Sequence, residues 1–230
     1  MAGQGSLAET EGGPVPGTGE ALYRALRSDI IMGRLPPGRK LKLELLRDAY
    51  AAGLGTLREV LSRLAADGFV RAEGQRGFAV APISRAGLIE VADLRLLIEE
   101  HALARSFAAG DIAWEEAVLA AHHRLDSHEA RLERGDVAAF DDWRRADWRF
   151  HQTLISACGS RVMLQTHAEV FDHYLRYQMI ALGFRPGASR PEHGALREAA
   201  LARDVDRAVA TLRAHVQGGV AHALALGHLD

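Results

Sequence analysis

The stretch Ala51–Val80, AAGLGTLREVLSRLAADGFVRAEGQRGFAV, decides how the rest of the chain is read. Leu57, Val60, Leu61 and Leu64 fall at i, i+3, i+4 and i+7, the apolar stripe of a short helix seated on a core. Thr56 and Glu59 have the spacing of a capping box, which predicts a helix starting at Thr56, and Asp67-Gly68 stops it. Phe69-Val70 and Phe78-Ala79-Val80 follow as two β-prone runs around the polar turn Glu73–Gly77. A helix succeeded at once by a tight hairpin with an arginine at its tip is the ending of a winged helix-turn-helix. Arg58, Ser62 and Arg63 point away from the apolar stripe, where base edges and phosphates of double-stranded DNA would lie.

Upstream, Ala21–Met32 carries Leu22, Leu26, Ile30 and Ile31 on one side and reads as a helix. Gly33–Gly38 breaks it, and Lys40-Leu41 reads as a short strand. Lys42–Tyr50 is the first helix of the helix-turn-helix, with Leu45 and Leu46 inward, and Ala51–Gly55 is the turn. Residues 1–19 are rich in Gly, Pro and Glu, hold no Lys or Arg, and offer no apolar run for a signal peptide, so a disordered tail is expected.

Charge supports this division. The chain of 230 residues has a net charge of −2, an unpromising figure for a DNA binder. Residues 21–84, however, carry 11 Lys/Arg and 6 Asp/Glu, a balance of +5, while the remainder carries 17 and 24, a balance of −7. A basic head on an acidic body suits phosphate binding by one domain. The lone Cys158 excludes an intrachain disulfide and suits the reducing cytoplasm, as a small core thiol. No run approaches 18 unbroken apolar residues, so no membrane span is expected.

Beyond Ile83 the pattern is helical throughout. Breaks at Ala109–Asp111, Arg134–Asp136, Cys158–Ser160, Gly183–Pro191 and Arg203-Asp204 leave helices over 84–108, 111–133, 136–157, 160–182, 190–202 and 204–226. Short loops imply antiparallel neighbours, hence a bundle of about six helices. The expected fold is therefore mainly α: a tail over 1–19, a winged helix-turn-helix over 20–82 and a helical bundle over 83–230.

Histidine placement carries the chemistry of the bundle. Asp147 and His151 are i and i+4 in DWRFH, His193 lies one turn into its helix in SRPEHGAL, and His215 sits on the stripe of Leu212 and Gly219. One carboxylate and three imidazoles from three helices suit a divalent transition metal, although a lone inward histidine is ordinarily a satisfied core residue. Arg95 lies i+7 from Leu88 and i+4 from Val91, on or beside an apolar stripe, and needs a partner. Glu99 at i+4 is one answer; a ligand carboxylate held by the guanidinium fork is the other. Arg176 in LRYQ is a second candidate for that job. His122, His123, His128, His173 and His228 are read as surface or packing residues, and His167 and His222 as possible cavity liners.

The runs IIMGRLPPGRKL, LREVLSRLAADGFV and GQRGFAV together resemble the N-terminal domain of GntR-family transcription regulators over residues 21–82. The resemblance implies that Arg58 and the wing Gly77 lie against DNA. Lys42, Arg47, Thr56, Ser62, Arg63, Arg71 and Arg76 join them as candidate contacts, each of which can instead be plain surface charge or polarity; Glu59 at i−4 offers Arg63 an alternative partner. Gly53-Leu54-Gly55-Thr56 stands where many relatives have a Ser-Arg-Thr-Pro type lead-in, so the operator sequence should differ. The second half is similar to the FCD ligand-sensing domain, a helical bundle that often holds a metal through one Asp and three His, and these positions match Asp147, His151, His193 and His215. The resemblance further implies a metal of zinc, nickel or manganese type, a small organic acid as effector, a homodimer on a near-palindromic operator, and repression as the outcome. Two other classes of function are open to the same residues. A metalloenzyme leaves the winged helix unexplained and lacks an evident base-and-nucleophile pair; a DNA-binding dimer without metal or effector, whose bundle only dimerises, is told apart by whether DNA affinity responds to small acids.

Overall fold

The computed structural model describes residues 19–180, 184–185, 187–227 and 229. Of the tail expected over residues 1–19, residues 1–18 lie outside the described residues, as does His228, while Gly19 already belongs to the first helix. The chain divides into two compact units between Pro82 and Ile83.

In the first unit, α1 (Gly19–Ile31) and α3 (Leu54–Ala66) pack together, with α2 (Leu43–Tyr50) against α3. The stripe Leu57, Val60, Leu61 and Leu64 is buried as expected, against Leu22, Leu26 and Ile30 of α1. The wing is a three-stranded antiparallel sheet in the order β1 (Lys40–Leu41), β3 (Phe78–Val80), β2 (Val70–Ala72). Lys40 pairs with Ala79, and Val70 with Val80. The tip between β2 and β3 is a 3-10 turn over Gly74–Arg76, closed by Gly77 at φ +89°, where only glycine is unstrained.

Two local expectations are corrected. Helix α3 begins at Leu54, with Gly53 as N-cap, and the cap position has no side-chain hydrogen bond. Ala51 already turns the chain in the left-handed region at φ 48°, and the Leu57 amide bonds to the Gly53 carbonyl, so the helix is under way before Thr56 is reached. Leu45 is 60% exposed, whereas Leu46 is buried. Adjacent residues on a helix stand about 100° apart, and α2 is too short to bury both.

The second unit is a bundle of six helices among the described residues: α4 (Arg85–Ala109), α5 (Ile112–Glu133), α6 (Phe140–Leu154), α7 (Arg161–Ile180), α8 (Ser189–Ala202) and α9 (Val205–Ala225). Contacts run round a closed ring, α6 on α5, α5 on α8, α8 on α9, α9 on α4, α4 on α7 and α7 on α6. Ser84, Asp111 and Asp204 cap α4, α5 and α9, their side chains accepting from the amides of Gly87, Trp114 and Arg207. The third helix is shorter than its pattern suggests. A 3-10 turn over Val137–Ala139 precedes α6, and after Ile155 a tight turn, with the Ser156 hydroxyl donating to the Thr153 carbonyl, ends it before Cys158. Cys158 is buried, as a small core thiol should be. No helix among the described residues is long and apolar enough to cross a membrane.

Candidate functional site

Helix α6 buries Trp143, Ala146, Asp147, Phe150, His151 and Leu154, so its two polar residues stand in the middle of an apolar stripe. His193 does the same on α8, beside Leu196, and His215 on α9, between Leu212 and Val216. The ring of helices brings these four side chains together. Asp147, His151, His193 and His215 are all buried, and each offers one donor atom within 4.8 Å of every other. The Nε2 atoms of His193 and His151 lie 3.3 and 3.8 Å from Asp147 Oδ1, and His193 Nε2 is buried without a hydrogen-bond partner among the described residues. One carboxylate and three imidazoles fit a divalent transition metal by donor type, number and enclosure.

Behind each imidazole stands a glutamate, of which spacing points to Glu99 alone, and only as a partner for Arg95. His151 Nδ1 is 2.5 Å from Glu99, His193 Nδ1 is 2.8 Å from Glu129, and His215 Nδ1 is 2.7 Å from Glu192. Glu99 and Glu129 are fully buried. Burial would raise the Asp147 and Glu99 carboxyls. For Asp147 the surrounding histidines outweigh it, and for Glu99 Arg95, His151 and His167 do, so both are held below the usual carboxylate range. His193 moves up to about 9 because, although burial disfavours its charge, Glu129 and Asp147 favour it more. His215 moves down to about 3, with burial overriding its bond to Glu192. Adjacent imidazoles are thereby pushed in opposite directions by their surroundings.

Arg95 is wholly buried on α4. Its Nε donates to Glu99 at 2.9 Å, and one terminal nitrogen lies 3.1 Å from His151 Nδ1. The guanidinium is stacked 4.3 Å from the Phe171 ring centre and 4.7 Å from that of Tyr174, both on α7. Glu99 is thus its partner, yet the other terminal nitrogen has no hydrogen-bond partner among the described residues. Arg176 is also buried on α7, where desolvation brings its guanidinium down to about 10. His167 is buried with Nε2 3.2 Å from Glu99, and His122 packs edge-on against Phe150. His222 is half-buried.

In the first unit Thr56, Arg58, Ser62 and Arg63 share the exposed side of α3, and Lys42, Arg47, Arg71 and Arg76 are exposed. Arg58 makes no ion pair or hydrogen bond among the described residues, which leaves its guanidinium available. Arg63 pairs with Glu20 at 3.2 Å and lies over the Tyr23 ring, both on α1, and makes no ion pair with Glu59 among the described residues. Arg47 pairs with its neighbour Asp48.

A winged helix-turn-helix joined to a helical bundle is the architecture of a DNA-binding transcription regulator. Residues 18–80 match the family described as bacterial regulatory proteins, gntR family, and residues 90–218 match the FCD domain. The chain is 36% identical over 225 residues to the HTH-type transcriptional regulator BphR of Paraburkholderia xenovorans (strain LB400), covering 96% of this chain and 92% of that protein. It is 36% identical over 203 residues to the HTH-type transcriptional repressor GlaR of Escherichia coli (strain K12), covering 84% and 90%. Its fold is similar to that of E. coli McbR/YncC, with a TM-score of 0.74 at 16% identity, over 90% of this chain and 97% of that one. The chain belongs to the GntR family of transcription regulators and carries an FCD domain. The family and these relatives are regulators rather than enzymes.

Proposed function

We propose that the chain is a homodimeric, metal-containing transcriptional repressor of the cytoplasm, released from its operator by a small organic acid. Residues 20–82 would read DNA, and residues 83–230 would sense the acid and join two copies. The observation that carries this reading is the enclosed set of Asp147, His151, His193 and His215, with an orphaned imidazole nitrogen among them. These four residues would hold the ion, of zinc, nickel or manganese type, which when bound supplies a Lewis-acidic partner for an anionic oxygen. Arg95 supplies a fixed positive charge beside His151, with a terminal nitrogen free to donate to a carboxylate, and Arg176 is a second buried guanidinium on the neighbouring helix.

On the DNA side, Arg58 is the base-reading candidate, with Thr56 and Ser62 on the same exposed side of α3. Lys42, Arg47, Arg63, Arg76 and the Gly77 backbone are assigned to phosphates and the groove edge. One recognition helix covers only a few base pairs, so a dimer on a near-palindromic site supplies the specificity. Two of the matched relatives are named repressors, which supports the sign of regulation.

The test is metal analysis of purified protein beside His193→Ala and His215→Ala, with operator binding measured against a panel of dicarboxylates and sugar acids. The operator is first selected from random-sequence DNA. Wild type should carry about one ion per chain, and one acid class should weaken operator binding, with both properties lost in the variants. A metal-free wild type whose acid response survives in both variants removes the metal from the account.

A further inference from the structure

We propose that Glu99, Glu129 and Glu192 form a carboxylate layer that aims the three histidines at the ion, and that Glu129 is given over to this task alone. The inference rests on the reading of Asp147, His151, His193 and His215 as metal ligands and extends it to residues on two further helices, α4 and α5.

The contacts set the tautomers. Each glutamate takes the Nδ1 side of one ring, at 2.5 Å for Glu99, 2.8 Å for Glu129 and 2.7 Å for Glu192. An Nδ1–H donating to a carboxylate leaves the Nε2 lone pair as the ring's donor, and for His151 and His193 that atom faces Asp147. The same bond raises the basicity of the ring and so strengthens it as a ligand.

The charges count the same way. Asp147 and the three glutamates bring four carboxylates, and Arg95 and Arg185 bring two guanidiniums, on Glu99 and Glu192 respectively. Two negative charges are left over, the complement of one divalent cation.

The three glutamates differ in what else they do. Glu99 also binds Arg95 and lies against His167, and Glu192 also binds Arg185. Glu129 has His193 as its hydrogen-bond partner, and its second oxygen is buried with none among the described residues. Among the described residues, the one ion pair of this fully buried carboxylate is with His193, itself one of the four residues of the donor set. The carboxylate gains its compensation through the imidazole of His193 when an ion sits on the other side of the ring. Glu129 is therefore a positioning residue for the metal rather than a ligand.

The experiment measures Zn²⁺ affinity of the full-length chain by chelator competition, and the visible spectrum of its Co²⁺ form, for wild type, Glu129→Ala and Glu129→Gln. Glu129→Ala should bind Zn²⁺ about 10- to 100-fold more weakly and shift the Co²⁺ bands. Glu129→Gln, which keeps an acceptor for Nδ1–H without the charge, should recover part of the loss. The metal-free alanine variant should melt lower than metal-free wild type, because its His193 loses a buried partner, so affinities are compared at a temperature where both are folded; Glu129→Gln serves alone if the alanine variant fails to fold. Wild-type affinity and an unaltered Co²⁺ spectrum in both variants overturn the role of Glu129 while leaving the metal site standing. A wild type that takes up neither ion overturns the metal reading itself.

Discussion

Arg95 and Glu99 offer a sharp test of what holds the bundle's interior together. Consider Arg95→Met, Glu99→Gln and the pair combined, in metal-stripped protein. Both side chains have 0% exposure and meet at 2.9 Å. Removing one member of a buried pair strands the other, at a cost of about 3–5 kcal/mol. For Arg95→Met two corrections act in opposite directions. The stacks on Phe171 and Tyr174 are lost, worth about 0.5–2 kcal/mol each, though a methionine sulfur keeps some ring contact. Against that, His151 and His167 both lie against Glu99 and can keep its oxygens hydrogen-bonded. The net expectation is about 3 kcal/mol for Arg95→Met, a similar loss for Glu99→Gln, and far less than their sum for the double variant. The coupling should reach about 2 kcal/mol. Urea unfolding followed by tryptophan fluorescence reads this directly. All three tryptophans, Trp114, Trp143 and Trp148, lie beyond residue 83, so the signal belongs to the bundle. Single losses below about 1 kcal/mol, or losses that simply add, would refute the idea that this pair is electrostatically committed.

Other expectations are narrower. Arg58→Ala should cost about 1–3 kcal/mol in binding to the selected operator at matched salt, and relax its sequence preference, whereas Arg76→Ala should cost less; unchanged binding by Arg58→Ala removes α3 as the reader. His122 is buried against Phe150 and pushed down to about 4, chiefly by burial, so it stays neutral in the fold while the unfolded chain takes up a proton near pH 6.5. Stability should therefore fall as pH drops from about 6.5 to 4, by at most about 3 kcal/mol and nearer 1–2 once residual solvent screening is allowed for. His122→Phe should flatten that part of the stability–pH curve, and an unchanged slope counts against the assignment. Gly110→Ala places a methyl group 2.7 Å from the Trp114 ring and from Arg203; its φ of −63° is open to alanine, so the cost is steric. The melting temperature should fall by an amount corresponding to about 1–3 kcal/mol. Tyr177→Phe should leave acid and metal binding intact but reduce the effect of the acid on operator affinity, which titrations with and without acid will show.

Much of this was legible in the residues. The stripe of α3, the hairpin and the six-helix count of the bundle follow from apolar spacing and from glycine, which are local signals. The donor set Asp147, His151, His193 and His215 was recoverable because histidine on an apolar stripe stands out, and because the family resemblance tied three distant helices together. Glu99, Glu129 and Glu192 were not recoverable in the same way. A glutamate in a helix ordinarily faces water, and nothing local distinguishes Glu129 from Glu133 four residues on, which instead pairs with Arg190. Glu99 could be suspected only as the i+4 neighbour of Arg95. Thr56 shows the opposite failure: a capping-box match occurs inside a helix whose true start is set by the preceding turn, through Ala51 and Gly53. Spacing offers Arg63 a partner in Glu59 as the alternative to DNA, whereas tertiary packing brings Glu20 and Tyr23 of α1 to it.

Helix α7 places three aromatic side chains at intervals of one turn, and their positions have a mechanical meaning. Phe171 and Tyr174 cover the Arg95 guanidinium, while Tyr177 hydrogen-bonds to the backbone of Ser84, the residue that caps α4 two places after Pro82. From Phe171 to Tyr177 is a rise of about 9 Å along a single helix, a span over which an α-helix hardly bends. A guest that shifts the rings over Arg95 therefore moves the Tyr177 hydroxyl with them, as the far arm of a stiff lever moves with the near one. Gly87 removes the slack, since a methyl group there would collide with that hydroxyl. A ligand seated beside Arg95 would thereby bear on the first turn of α4 through one helix and its three rings.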